Sequence, residues 1–256
     1  MTDYGHAVLF LRRAGGLLLD ALLPPRCLSC GIVVDRQGTI CPGCWTELAF
    51  LSEPLCACCG YPFAFDLGPE TECGACARGH PAFDRARAVL AYDDLSRGLV
   101  LGLKYGDRTH LAPALGVMMA RAGAELLRQG EVIVPVPLHR RRLWRRRYNQ
   151  ATLLGLAVGR ASGLPMAPDA LVRRRATQSL GHMSPSARRL ALRGAFTVPK
   201  TRRQHITGKR LILIDDVLTT GATAEACART LKRAGAASVE LLVFARVVRG
   251  SQPWEG

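Results

Sequence analysis

The residues with the most evident chemistry lie at 211–223, Leu-Ile-Leu-Ile-Asp-Asp-Val-Leu-Thr-Thr-Gly-Ala-Thr. Four apolar residues run into two adjacent acids, Asp215 and Asp216. After Val217 and Leu218 comes a short hydroxyl-rich turn, Thr219, Thr220, Gly221, Ala222 and Thr223, and then a helix-period pattern through 224–234. The apolar run reads as a central parallel strand. A strand that ends in acids and hands over to a Gly/Thr turn suits a ligand held outside the carboxyl end of a sheet. The helix start offers backbone N–H groups and a partial positive charge, which suit a phosphate. The threonines add hydroxyl donors, and Gly221 permits close backbone approach. Asp215 and Asp216 can accept hydrogen bonds from sugar hydroxyls or help to hold a hydrated Mg²⁺.

A second chemistry is carried by cysteine. Eight of the ten cysteines form four Cys-x-x-Cys pairs. Ten residues separate Cys27/Cys30 from Cys41/Cys44, and thirteen separate Cys56/Cys59 from Cys73/Cys76. Two thiolates two residues apart grip a metal from one tight turn, and two such knuckles complete a tetrahedral Zn²⁺ site. Sequential pairing closes each ribbon locally, with one zinc on Cys27, Cys30, Cys41 and Cys44 and the other on Cys56, Cys59, Cys73 and Cys76. A crossed pairing satisfies the same spacing. Four cysteines saturate each zinc, so the expected role is structural. Cys58 sits inside a knuckle as a spare thiol, and Cys227 reads as a buried small hydrophobe.

A third stretch begins Val132-Ile133-Val134-Pro135-Val136-Pro137-Leu138-His139 and continues with six arginines between 140 and 147. It reads as a buried strand, a stiff proline turn and a basic loop. Cations after a parallel strand suit a pyrophosphate; a solvated basic loop is the plainer alternative.

The formal charge of the 256-residue chain is +15. Residues 136–210 hold eighteen Lys/Arg and one acid, Asp169, a net of +17, so the whole excess is local. Such a field attracts polyanions, whether sugar phosphates or nucleic acid. A basic surface that only aids solubility is the alternative. Hydrophobic residues make up 48%, enough for a core. No secretory signal is evident, and no apolar run approaches the roughly 20 residues of a transmembrane helix. The expected setting is therefore cytoplasmic, with reduced thiols that bind metal.

The elements that must position these groups follow. Residues 1–25 read as one helix, stopped at Pro24-Pro25. Residues 26–80 form the cysteine module, 81–248 the larger domain and 249–256 a tail. Within the domain, 83–92 suit an edge strand. Helices are expected at 95–104, 108–127 and 151–160. The segment 161–210 is rich in loops, with a basic stretch at 173–184 suited to a hood that excludes water from a reaction. A last strand is expected over 239–248.

Residues 211–223 resemble, position by position, the fingerprint by which type I phosphoribosyltransferases bind 5-phosphoribosyl 1-pyrophosphate (PRPP). Four further features widen the likeness: Leu103-Lys104-Tyr105-Gly106, the Pro-Val-Pro strand, Tyr148-Asn149-Gln150 and Thr177-Gln178-Ser179-Leu180. With the four cysteine pairs, they make the chain similar to the ComF family. That resemblance implies an α/β fold of the type I phosphoribosyltransferase kind, a mostly parallel sheet flanked by helices, with a small N-terminal double zinc ribbon. It implies Mg²⁺-PRPP as ligand, with Asp215 and Asp216 at the ribose. Leu218, Thr219, Thr220, Gly221, Ala222 and Thr223 would wrap the 5′-phosphate. Lys104, Pro137, Leu138, His139 and Arg140 would meet the pyrophosphate, and Arg175, Thr177 and Gln178 would belong to a loop over the site. It also implies a place in competence and the use of imported DNA, with single-stranded DNA or a DNA-uptake helicase as partners. The reading kept beside the enzyme is a non-catalytic accessory protein that senses PRPP or a nucleotide and binds single-stranded DNA. One departure stands out: family members often have Gly-Phe-Asn-Gln where this chain has Arg147-Tyr148-Asn149-Gln150.

Overall fold

The computed structural model describes residues 24–176 and 185–248. The helix expected over 1–25 falls almost wholly outside that range, as does the tail. The described residues form two compact units that divide between Glu47 and Leu48. The smaller unit holds α1 (Pro42–Glu47) and the first cysteine quartet. The larger unit runs α2 (Gly74–Arg78), β1 (Ala86–Ala91), α3 (Asp94–Tyr105), α4 (Ala112–Ala122), α5 (Ala124–Gln129) and β2 (Val132–Pro135). It continues through α6 (Arg140–Arg146), α7 (Gln150–Ser162), β3 (Val172–Arg173), α8 (Pro185–Leu192) and β4 (Phe196–Thr197). It closes with β5 (Arg210–Leu218), α9 (Ala222–Arg233) and β6 (Ser238–Arg246).

Four strands form one parallel sheet in the order β1-β6-β5-β2. The edge strand expected near 83–92 is β1, and the apolar run before the acids is in β5, paired on both sides. Leu211, Ile212, Leu213 and Ile214 are fully buried, as both faces of a parallel sheet are covered. On one face α4 and α7 pack against each other and the sheet. Gly116 makes that approach possible, because a Cβ there would lie 2.3 Å from the Ala157 Cβ. On the other face Cys227, Ala228 and Leu231 of α9 join Leu211, Leu213, Leu241 and Val243. The second cysteine quartet belongs to that same apolar cluster, together with Phe83, Ala86 and Ala88. The short strands β3 and β4 pair antiparallel outside the main sheet.

Local sequence explains the helix ends that matter to the site. Helix α3 starts at a capping box: Ser96 N donates to Asp93 Oδ1 (2.8 Å) and Asp93 N to Ser96 Oγ (2.9 Å). Asn149 caps α7 by accepting from Ala151 N (3.1 Å). Three expectations need correction. The helix expected over 108–127 is a short 3₁₀ turn at Thr109–Leu111 followed by α4 and α5. It breaks at Gly123, where a Cβ would sit 2.7 Å from the Leu242 side chain, so the joint lies hard against β6. The acids do not follow the central strand; β5 extends through them to Leu218 because β6 keeps pairing with it. The arginine stretch is not a loop but the helix α6.

Candidate functional site

Adjacent strand residues point to opposite faces, so Asp215 and Asp216 diverge. Asp216 meets Lys104 of α3, with Nζ 3.1 Å from Oδ1. Both groups are largely buried, and the second carboxylate oxygen of Asp216, Oδ2, is buried with no hydrogen-bond partner. A buried carboxylate oxygen left in that state calls for a ligand donor or cation. Burial works against the charge on Lys104, but Asp216 and Asp215 outweigh it and hold its pKa above the ordinary value.

Asp215 points toward α9. Burial first, and the Asp216 charge next, push its pKa up to about 7. The Asp216 N–H donates to Asp215 Oδ1 at 2.9 Å and works the other way, as do Lys104 and Arg173. Asp215 lines a cleft with Val217, Leu218, Thr219, Thr220, Gly221, Ala222 and Thr223. Leu218 is the buried end of β5, and Gly221 takes a left-handed conformation (φ 76°) as the N-cap of α9. That cap supplies no side-chain hydrogen bond to the helix start. The first-turn amides of a twelve-residue helix thus face the cleft without a capping side chain, a ready anion site.

The segment after β2 begins beside these acids, since Pro135 pairs with Ile214 and Val136 N donates to Ile214 O (2.9 Å). Asn149 Nδ2 pins the turn by donating to Val136 O (3.0 Å). Pro137 and His139 are buried, Leu138 is half-buried and Arg140 is exposed. His139 Nδ1 caps α6 by accepting from Arg141 N (3.3 Å). Arg175 is exposed and donates to Arg193 O (3.2 Å). Thr177 and Gln178 lie outside the described residues.

Sequence motifs passed over Arg173. It sits on β3, 7% exposed, with its guanidinium over the Phe196 ring. Burial and Arg142 lower its pKa, while Cys227 and Asp215 favour its charge, so it stands in the electrostatic reach of the cleft. As the first of three successive arginines it carried no distinguishing signal; only the pairing of β3 with β4 turns it inward. Around α6 the aromatics differ. Tyr148 is tied through its hydroxyl to Leu103 O (2.8 Å), whereas Tyr105 lies under Arg146 (4.6 Å to the ring centre) and Trp144 is 89% exposed.

Each cysteine quartet is drawn together, with its four sulfur atoms within 4.8 Å of one another. The pairing is sequential. Cys41 N donates to Cys27 Sγ (3.2 Å) in the first quartet, and Cys73 N to Cys56 Sγ (3.2 Å) in the second. Amide donors aimed at sulfur fit thiolate ligands, and four clustered sulfurs fit Zn²⁺. Cys58 and Cys227 are buried and stand outside both quartets. Among the described residues no helix is long and apolar enough to cross a membrane.

The parallel sheet, its acid-bearing central strand and the two quartets define a phosphoribosyltransferase-fold protein with a double zinc ribbon. Residues 18–77 match the double zinc ribbon domain and residues 151–256 the phosphoribosyl transferase domain. DNA utilization protein YhgH of Salmonella typhimurium is 34% identical over 200 residues, which is 76% of this chain and 85% of that protein. Competence protein F of Haemophilus influenzae is 27% identical over 86% of this chain and 96% of its own. Competence protein ComFC of Bacillus subtilis is 26% identical over 81% and 84%. Among solved structures, a purine phosphoribosyltransferase from Pyrococcus horikoshii overlaps with a TM-score of 0.33 at 18% identity, over 54% of this chain and 85% of that one. The chain belongs to the ComF family, that of competence protein F and YhgH.

Proposed function

We propose that the chain binds Mg²⁺-PRPP and transfers its phosphoribosyl group to a nucleophile. The observation that carries this reading is the cleft in which Asp215 faces the Thr219–Thr223 turn at the start of α9. The turn and the first-turn amides hold the 5′-phosphate. Asp215 and the unpartnered Asp216 oxygen accept from the ribose hydroxyls. Lys104, the turn from Pro137 to Arg140 and Arg173 bring positive charge toward the pyrophosphate. Bound Mg²⁺ would supply charge neutralisation at the leaving pyrophosphate. The nucleophile forms a bond to C1′ as the C1′–O bond breaks and pyrophosphate leaves with the electron pair. The protein's part is to orient the sugar and stabilise the departing charge. Asp215 and Asp216 would help to hold the hydrated cation together with the substrate's own oxygens. Pyrophosphate release should be detectable when the protein is incubated with Mg²⁺-PRPP and a panel of free bases and oligonucleotides. Release that survives unchanged in the Asp215→Asn/Asp216→Asn variant would contradict the assignment.

A second reading is favoured by one observation. Trp144 is almost fully exposed among Arg140 and Arg145 of α6 and Arg147 at its C-cap. An exposed aromatic flanked by cations suits single-stranded nucleic acid, and relatives are named for DNA utilization and competence. In this reading the PRPP pocket serves as a sensor and the chain works as an accessory protein beside a DNA-uptake helicase in the cytoplasm. The two readings share the pocket and differ in whether pyrophosphate is released.

A further inference from the structure

Arg246, the last residue of β6, is the bulkiest of the fully buried side chains, at 1% exposure. A guanidinium cannot shed its charge, and a buried charge needs a counter-charge. Among the described residues Arg246 makes no salt bridge. Its Nε and Nη2 are buried without hydrogen-bond partners. Instead the side chain runs into the second cysteine quartet. Nη1 donates to the Cys59 carbonyl and lies 3.7 Å from Cys59 Sγ, and the guanidinium stacks over Tyr61 at 5.2 Å. Neutral thiols would leave this cation unbalanced. Four thiolates around one Zn²⁺ carry a formal charge of −2, which supplies the missing counter-charge and is itself reduced by the guanidinium.

The backbone of the same residue touches the ligand cleft's frame. Arg246 pairs with Leu218, the residue before the Thr219–Thr223 turn. Val247 N donates to Leu218 O (2.9 Å), and Tyr92 N donates to Arg246 O (2.7 Å). The knuckle also docks on β1, with Ala86 N donating to Cys58 O (2.7 Å). Among the described residues no buried cation is seen against the first quartet: Cys30 is exposed, and Arg26 donates to the Gly31 carbonyl from the surface.

We propose that Arg246 is the counter-charge of the metal-loaded second quartet, and that this metal thereby holds the end of β6 in register beside the phosphate-type turn. The two zinc sites are then unequal: the first stabilises its own ribbon, and the second stabilises the frame of the cleft. The inference rests on the quartet and the sheet, and it stands whether or not the cleft takes PRPP.

The test reads zinc directly. In a Cys27→Ser/Cys30→Ser background the second quartet alone holds metal. There, Arg246→Gln should release zinc to a chromogenic chelator at least about tenfold faster than Arg246, the scale of outer-shell effects on metal affinity. Arg246→Lys, which keeps the charge, should stay close to the parent. A cooperatively melting Arg246→Gln protein that releases zinc at the parental rate would overturn the proposal, as would equally fast release from the Lys variant. Should Arg246→Gln fail to fold, hydrogen exchange on the native chain decides. Stripping both zincs should speed exchange in peptides covering 216–222 and 242–248 and spare those covering 132–135. Unchanged exchange in the first two would overturn it.

Discussion

Two adjacent acids with unlike surroundings give the site its electrostatics. Asp216 is paired with Lys104, whereas burial and the neighbouring carboxylate push the Asp215 pKa up to about 7. A carboxyl with a raised folded pKa binds its proton more tightly folded than unfolded. Its contribution to stability is present at low pH and fades as pH rises from about 4, the ordinary value, toward 7. Asp215→Asn should therefore outlast the native protein in urea at pH 8, by at most about 4 kcal/mol, and the gap should close toward pH 4. A gap that widens toward acid would contradict the buried position of Asp215. Lys104→Met leaves Asp216, 7% exposed, without its cation. It should cost about 3 kcal/mol in the same assay. The identities of both acids and of Lys104 were legible in the sequence as motifs. Their divergence was not, because it depends on β5 continuing past the acids.

At the scale of elements, the apolar run, the Gly/Thr turn and the cysteine knuckles were legible because each is specified locally. The arginine helix was not. A run of like charges reads as solvated loop, yet His139 caps its start and Arg147 ends it in the left-handed conformation at φ 66°. An arginine thus holds this turn under strain. Arg147→Gly should raise stability by about 1 kcal/mol, read from chemical denaturation. Gly60 works in the opposite sense. It is left-handed (φ 66°), and a Cβ there would lie 2.4 Å from the Ala86 carbonyl oxygen. Gly60→Ala should force the second knuckle off β1, costing about 2–3 kcal/mol and weakening zinc retention, measured together by melting and chelator competition. The broken helix at Gly123 was hidden for the same kind of reason: what decides it is Leu242 on β6, far away in sequence.

Across the whole molecule, charge and metal divide the work. The +17 segment supplies α6 and Arg173, which follow or face the acids' end of the sheet, whereas Lys209 and Arg210 pair with Glu131 at the opposite end. If α6 binds single-stranded DNA, affinity should fall steeply with salt, and Trp144→Ala should weaken binding by about 1–3 kcal/mol. Affinity that is flat between roughly 50 and 200 mM salt would refute that use of α6. The number of zinc sites was legible from spacing, whereas the burial of the second quartet in the domain's core was not, since Phe83, Ala86 and α9 build it. The central claim concerns the cleft, and calorimetry tests it most directly. Titrating Mg²⁺-PRPP into the native chain should give saturable heat, and the Asp215→Asn/Asp216→Asn protein, still folded and still holding two zincs, should lose most of it. Equal heats and equal affinities for the two proteins would contradict the assignment of the cleft.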